Sequence, residues 1–264
     1  MEPWDSPTAK DADEPVLPSR PPLPVASMTT GGGAVSVTVV AVGPGDGSLL
    51  TLRGQEALRK AGLVAGFNTV LDVVRPWLDH AEVCPMSYRD QEEVLEYAVG
   101  QARKGRRCVV CCWGDLNVSA RELLERVRSR ADVVELVPGI SSVQVACARS
   151  GISLEDALFI TLHKRGDTGG DLDELEHYLR EGRRHVILIP RPWDLMPAAI
   201  AKGLLKSGIS GRRSLTVYQR LSLDGEQRWN GTLDECAAVA EEFSDLTIMV
   251  FWQPSPAADG PGRG

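Results

Sequence analysis

Apolar and polar positions along this chain switch between two periods. Runs dense in β-branched and apolar residues, of strand length, alternate with stretches in which apolar residues recur at helical spacing. "AVSVTVVAV" (34–42) predicts a first strand. "LTLRGQEALRKAG" (50–62) predicts a helix that stops on glycine, a usual C-terminal signal. "LVAG" is a short apolar strand, and "DQEEVLEYAVGQARKG" (90–105) an amphipathic helix with acid first and base last, as the helix dipole favours. "RCVVCCW" and "DVVELV" (132–137) read as strands around a helix at "SARELLERVRSR" (119–130). The second half repeats the grammar. Helices are predicted at 141–151, 171–182, 196–208 and 232–243, and strands at 157–163, 185–190, 214–221 and 246–252.

Strands alternating with helices of this length predict α/β units with helices covering the sheets. About ten strands is many for one sheet, so two α/β domains are expected, 34–150 and 151–253, split near Arg149 to Leu154. Residues 1–33, rich in proline, glycine and acid, and residues 254–264 are expected to be flexible tails. A start site at Met28 is a live alternative for the N-terminus. No secretory signal and no apolar run of membrane-spanning length is seen, so the expected location is the cytoplasm.

Composition changes the picture only a little. Of 264 residues, 43% are hydrophobic and 25% charged, ordinary values for a globular protein. The formal net charge of −7 argues against a nucleic-acid partner, which usually needs a basic face. The pairs Arg106-Arg107, Arg183-Arg184 and Arg212-Arg213 each precede a strand-like run and read as solvated loops. Cys108 and Cys111 form a C-x-x-C, but strand alternation points them to opposite faces. Buried thiols are therefore expected, and no metal site.

Candidate chemistry lies after the strands, since open α/β sheets bind ligands beyond the carboxyl ends of their strands. Three such loops are rich in glycine or small hydroxyls: "GPGDG" (43–47), "WGDLNVS" (113–119) and "PGISS" (138–142). Glycine permits positive φ and close backbone approach, while Ser141 and Ser142 can cap a helix or offer free N–H groups. The first loop matches neither dinucleotide nor P-loop spacing and lacks a lysine. Asp46 and Asp115 disfavour a polyphosphate and suit ribose hydroxyls, an ammonium or a sulfonium. S-adenosylmethionine carries all three.

"AVGPGDGSLLT", the later "GD" loop and "PGISS" before a helix resemble the tetrapyrrole methylase family, over about Val37 to Trp252. "VELVPGISSVQVACARSGISLEDALFITLHKRG" (134–166) is most similar to the branch that methylates C5 of a cobalamin precursor, precorrin-7 or its cobalt form. The resemblance implies two α/β domains with S-adenosylmethionine in the cleft between them, and a homodimer. It places Pro44, Trp113, Gly114, Asp115, Val118, Ser141 and Ser142 around the cofactor, with backbone contacts from Ile189 and Pro190. Leu116 stands where the family's loop has proline, which is expected to loosen the loop. "VAGFN" (64–68) lacks the acid carried by the uroporphyrinogen-methylating branch.

The implied reaction is an in-line methyl transfer to a ring carbon of a tetrapyrrole substrate, with no metal required of the protein. Asp46, Asp115 and His163 are the candidate bases. Lys164 and Arg165 are candidates for the substrate's carboxylates. "RPWDLMP" (191–197) reads as a loop with a helix cap at Asp194, and Trp193 as a packing residue or a platform for a flat ring. His80, His177 and His185 read as structural. The chain ends soon after "MVFW", so a separate C15-methylating decarboxylase is the expected partner. The alternatives are another tetrapyrrole C-methyltransferase, acting on C20 of precorrin-2 or on uroporphyrinogen III, and a non-catalytic carrier of a corrinoid intermediate.

Overall fold

The computed structural model describes residues 34–118 and 120–254. Of the expected tails, 1–33 and all of 254–264 but Pro254 lie outside the described residues. Among the described residues ten strands form two five-stranded sheets, the two-sheet α/β class that the alternation predicts.

The first sheet is wholly parallel. Its strands are β1 (Ser36–Ala41), β2 (Leu63–Phe67), β3 (Glu82–Met86), β4 (Cys108–Cys112) and β5 (Val133–Val137), in the order β3-β2-β4-β1-β5. Helices α1 (Leu52–Arg59) and α2 (Asn68–Val74) cover one face, and α3 (Gln91–Arg103) and α4 (Arg121–Arg128) the other. All five residues of β4 are buried because it is a central strand with both faces covered. Cys108 and Cys112 pack toward α3 and α4, and Cys111 toward α1 and α2, the opposite-face placement that alternation predicts. Burial pushes the Cys112 thiol up to about 12, with the Asp115 carboxylate adding to it, so it stays a neutral packing group.

The second sheet is mixed. It contains β6 (Ala157–Thr161), β7 (His185–Ile189), β8 (Ser214–Gln219), β9 (Gln227–Thr232) and β10 (Thr247–Phe251), in the order β6-β7-β10-β8-β9. Only β6 and β7 run parallel to each other; the remaining pairs are antiparallel. The final strand thus inserts at the middle of the sheet. Helices α6 (Gly169–Glu181), α7 (Pro197–Lys206) and α8 (Leu233–Ala238) bury one face. The other face is covered by α5 (Ser142–Ser150), which follows directly from the first sheet's β5. Val143, Ala146 and Cys147 of α5 pack with Ile187, Tyr218, Ile248 and Val250. The Ser150 hydroxyl and the Tyr218 phenol share a hydrogen bond of 3.0 Å.

Several local expectations need correction. β3 and β9 carry no clear apolar signature, and both are edge strands. Pro85 is tolerated in β3 because an edge strand leaves one row of N–H groups unpaired. The last helix spans only Leu233–Ala238, half of the predicted stretch, held by a Thr232–Glu235 capping box. Two of the arginine pairs are not simply solvated. Arg106 ion-pairs with Glu82 and donates to the Gly62 carbonyl at 2.6 Å. Arg213 donates to the carbonyls of Trp252, at 3.1 Å, and Leu179. These guanidiniums tie strand starts to neighbouring chain segments.

Because α5 is the element through which the first sheet's chain lies on the second, Tyr218→Phe and Ser150→Ala are each expected to destabilise the protein by about 0.5–1.5 kcal/mol. The double variant should lose no more than the larger single loss, since both remove one hydrogen bond. Urea denaturation of the four proteins checks this.

Candidate functional site

The strand order of the first sheet reverses between β1 and β4. The chain leaves β1 toward β2 on one side, and leaves β4 toward β5 on the other. A crevice outside the carboxyl ends of strands at such a point is where open α/β sheets take ligands. The first two glycine-rich loops lie there.

Their backbones join. Val42 N donates to Cys112 O at 2.9 Å, continuing the parallel ladder. Then Gly43 and Gly114 exchange hydrogen bonds, N to O, at 3.2 and 2.8 Å as an antiparallel bridge. That reversal needs left-handed backbone, and Gly43 (φ 87°) and Gly114 (φ 65°) supply it. The third loop presses against the pair. A Cβ on Gly139 would lie 2.6 Å from Gly114 O and 2.7 Å from Ala41 O. Three strand ends thereby meet at one place, at glycines where left-handed backbone (Gly43, Gly114) or lack of room (Gly139) disfavours any other residue.

Asp115 completes the clamp. One carboxylate oxygen accepts from the N–H of Gly139 at 3.1 Å. The other accepts from the Asn117 backbone and side-chain amides, both at 2.9 Å. Leu116, expected to leave the loop loose in place of proline, is instead 4% exposed and packed into the core beneath α4. Burial of that side chain does the anchoring that a restricted φ would otherwise do.

Asp46 is exposed, and its carboxylate accepts from Ser48 N at 2.8 Å, capping a short turn at Gly47–Leu49. The Ser48 hydroxyl and N–H hold the Asp46 carboxyl below the usual carboxylate range, which makes it a weak base. Ser141 is 4% exposed. Its hydroxyl accepts from Val143 N at 3.0 Å, while its own N–H donates to Gln144, a capping box. Ser142, half-buried, opens α5. Pro44 is buried in the first loop, and Trp113 is half-buried against the core beside α1 and α2.

The second sheet supplies the facing side. Val118, from the loop after β4, packs against the same apolar cluster as Ile189, at the end of β7. Ile189 O already accepts from Leu162 N at 2.9 Å, and Pro190 is buried. The turn between β8 and β9 lies on the first glycine loop. A Cβ on Gly45 (φ 145°) would lie 2.5 Å from Leu223 Cγ. Arg220 (φ 52°) and Ser222 (φ 66°) in that turn are non-glycine residues in the left-handed region. Such strain costs about 1–3 kcal/mol each and gathers at functional sites. The sequence "RLSLDG" looks like an ordinary polar turn, and nothing in it signals this role.

His163 lies just past β6, and its N–H donates to Thr161 Oγ1 at 3.1 Å. Burial lowers its imidazole below the ordinary value, against an opposing pull from Glu122. A neutral ring at neutral pH follows. Lys164 pairs with Asp171 at 2.6 Å, and Arg165 with Glu122 of α4 at 3.7 Å. The Asp194 side chain does not cap α7, whose N-cap is Met196; it pairs with Arg191 instead. His177 lies edge-on to Tyr178, and His185 Nδ1 accepts from Gln253 N at 3.1 Å. No helix among the described residues is long and apolar enough to cross a membrane, and they hold no metal-binding group of three or more His, Cys, Asp or Glu.

Comparison with known proteins gives this geometry a context. Residues 36–237 match the model of the family described as tetrapyrrole (corrin/porphyrin) methylases. A probable cobalt-precorrin-7 C(5)-methyltransferase of Methanocaldococcus jannaschii is 27% identical over 216 residues, covering 81% of this chain and 97% of that protein. A siroheme synthase of Zymomonas mobilis is also 27% identical, over 232 residues, but the chain spans only 48% of its length. The crystal structure of a cobalamin-biosynthesis precorrin-6Y methylase from Archaeoglobus fulgidus superposes with a TM-score of 0.61, at 24% identity, covering 83% of this chain and 99% of that one.

Gly139→Ala is expected to destabilise the protein by about 1–3 kcal/mol, because the atoms it meets are backbone and cannot swing away. Gly170→Ala, in α6 with nothing within 4 Å, should be neutral or stabilising by up to about 1 kcal/mol. Thermal melting of the pair checks the contrast.

Proposed function

Since the chain belongs to the tetrapyrrole (corrin/porphyrin) methylases, we propose that it transfers the methyl group of S-adenosylmethionine to C5 of precorrin-7 or cobalt-precorrin-7. The observation that carries the cofactor is the Gly43–Gly114–Gly139 clamp at the sheet's switch point. In this reading it would present backbone rather than side chains to the cofactor, and its loops contain no lysine or arginine. That suits a cationic nucleoside better than a polyphosphate. The C5 assignment is supported by the relative whose whole length is matched, and by "VAGFN", which has no acid after β2.

The second reading is methylation of uroporphyrinogen III or of another tetrapyrrole carbon. It is favoured by the equal identity to siroheme synthase over 81% of this chain. In either reading the protein works as a cytoplasmic homodimer. In the first reading a separate enzyme methylates C15 and removes a carboxylate. The boundary between residues 150 and 151 separates the two domains that flank the cofactor.

S-adenosylmethionine supplies an electrophilic methyl carbon and a neutral thioether leaving group. The chain's own work is positioning. Pro44, Trp113, Gly114 and Val118 from the first sheet would face Ile189 and Pro190 from the second, with Ser141 and Ser142 at the start of α5. Asp115 keeps the loops in place, its two oxygens already committed to N–H groups. Aligning donor and acceptor is worth up to about 7–11 kcal/mol in favourable cases. As the carbon–carbon bond forms and the carbon–sulfur bond breaks, the ring gains positive charge and a proton must leave. Of the three candidate bases, we assign this proton to His163. Its ring is neutral, whereas Asp46 is a capping residue held ionised by Ser48.

The test is mass spectrometry after incubation of purified protein with labelled donor and each acceptor. Gain of one methyl by precorrin-7 or its cobalt form is expected. Methylation of uroporphyrinogen III alone would move the assignment to the second reading, and donor binding without turnover of any acceptor would point to a methylase-like carrier. A pH series adds a mechanistic check. His163 must be neutral to accept a proton, and its value is lowered, so the rate should hold as pH falls past 6.5 and decline only below it. His163→Asn should lower kcat by about 10²–10⁴-fold and abolish that acidic limb.

A further inference from the structure

A tryptophan stands 56% exposed in the loop after β7, where burial would be the ordinary expectation. Trp193 is nevertheless firmly held. Its turn is closed by reciprocal backbone bonds, Arg191 N to Leu195 O at 3.1 Å and Leu195 N to Arg191 O at 2.9 Å. The Arg191 side chain, only 11% exposed, forks onto Asp194 through Nε at 2.6 Å and Nη2 at 2.8 Å. Its remaining nitrogen, Nη1, donates to Gly166 O at 2.9 Å, in the loop after β6. The guanidinium lies 5.7 Å from the Trp193 ring centroid, and His163 meets that ring edge-on at 5.9 Å. One arginine thus fastens two loops and fixes an indole that is still open to solvent.

The surroundings match one class of ligand. β6 and β7 are parallel, so His163 and Trp193 stand at the same, carboxyl, end of the second sheet. Arg165, two residues beyond His163, reaches Glu122 of α4, which places this end against the first sheet's side. There Tyr88, 66% exposed and 4.9 Å from Phe67, lies within electrostatic reach of Arg165 and Glu122. Both cations are exposed, Lys164 against a half-buried Asp171 and Arg165 against an exposed Glu122, and surface pairs of this kind are worth little, so both cations can exchange partners for a ligand's carboxylates.

We propose that Trp193 is the platform on which the flat face of the polycarboxylate tetrapyrrole rests, and that Arg191 is the positioning residue that holds the indole in place. This rests on the methyltransferase reading for the identity of the ligand class. It goes further in assigning the acceptor's face to one side chain outside the glycine loops.

The experiment uses uroporphyrin III as a planar, polycarboxylate probe, titrated into the full chain and followed by its visible absorbance. Calorimetry with S-adenosylhomocysteine runs in parallel. Trp193→Ala should raise the porphyrin Kd about tenfold, and Trp193→Phe, which keeps an aromatic face, by no more than about threefold. Both should bind the nucleoside as the unaltered protein does. Arg191→Lys cannot reproduce the fork. It should weaken porphyrin binding in the Trp193 background and add little in Trp193→Ala, the coupling expected of a residue that acts through the indole. An unchanged porphyrin Kd in Trp193→Ala overturns the proposal. So does a parallel loss of nucleoside binding in that variant, which would make Trp193 a packing residue, and so does unaltered protein that binds the nucleoside but no porphyrin. Unaltered protein that binds neither probe sinks the methyltransferase reading itself.

Discussion

The backbones of three loops meet at Gly43, Gly114 and Gly139, the first two in left-handed conformation and the third with no room for a side chain, and the candidate site depends on that meeting. Parallel strands do not normally join beyond their ends. Here the β1 and β4 ladder runs one bond further and then reverses, at two residues in left-handed conformation. Gly139 then packs onto the carbonyls of Gly114 and Ala41. The clamp puts main-chain groups rather than long side chains at the ends of β1 and β4. Asp115, often the kind of residue assigned to chemistry, is spent here on three N–H groups that keep the clamp shut.

The second constraint is the course of α5. It begins at the third glycine loop, where the Ser141–Gln144 box fixes its first turn, and it covers the face of the second sheet. The element that starts at the site is therefore also the one that brings β7 and β8 toward it. The same apolar cluster takes in Val118 from one side and Ile189 and Leu221 from the other. Packing at this helix and geometry at the site are coupled. A change that loosens α5 on its sheet acts on the spacing of the residues proposed to flank the cofactor.

Around this frame the polar groups divide by environment. Asp46 and Ser141 satisfy backbone N–H groups at helical starts, which is what their positions in turns demand. His163 differs, since burial favours its neutral form and leaves it against an aromatic edge. Trp193 is held by an arginine whose three nitrogens each donate a hydrogen bond, two to a carboxylate and one to a carbonyl. Rigid placement of an exposed aromatic lowers the ordering cost of a flat ligand.

Period and punctuation alone determined a good deal. The two-sheet α/β class, eight of the ten strands and most helices follow from apolar alternation, because β4, β7 and β10 are buried on both faces and so leave unbroken apolar runs. The family resemblance was legible in "GPGDG" and "PGISS" because close backbone approach admits few residues besides glycine. β3 and β9 were not legible, since an edge strand needs no apolar face and can carry proline. Only tertiary structure decided that β10 enters the middle of its sheet, and that Leu223 lies over Gly45. It likewise decided that Asp194 serves Arg191 rather than a helix end. Each of these depends on which segments meet in space, and contacts between residues far apart in the chain leave no period in it.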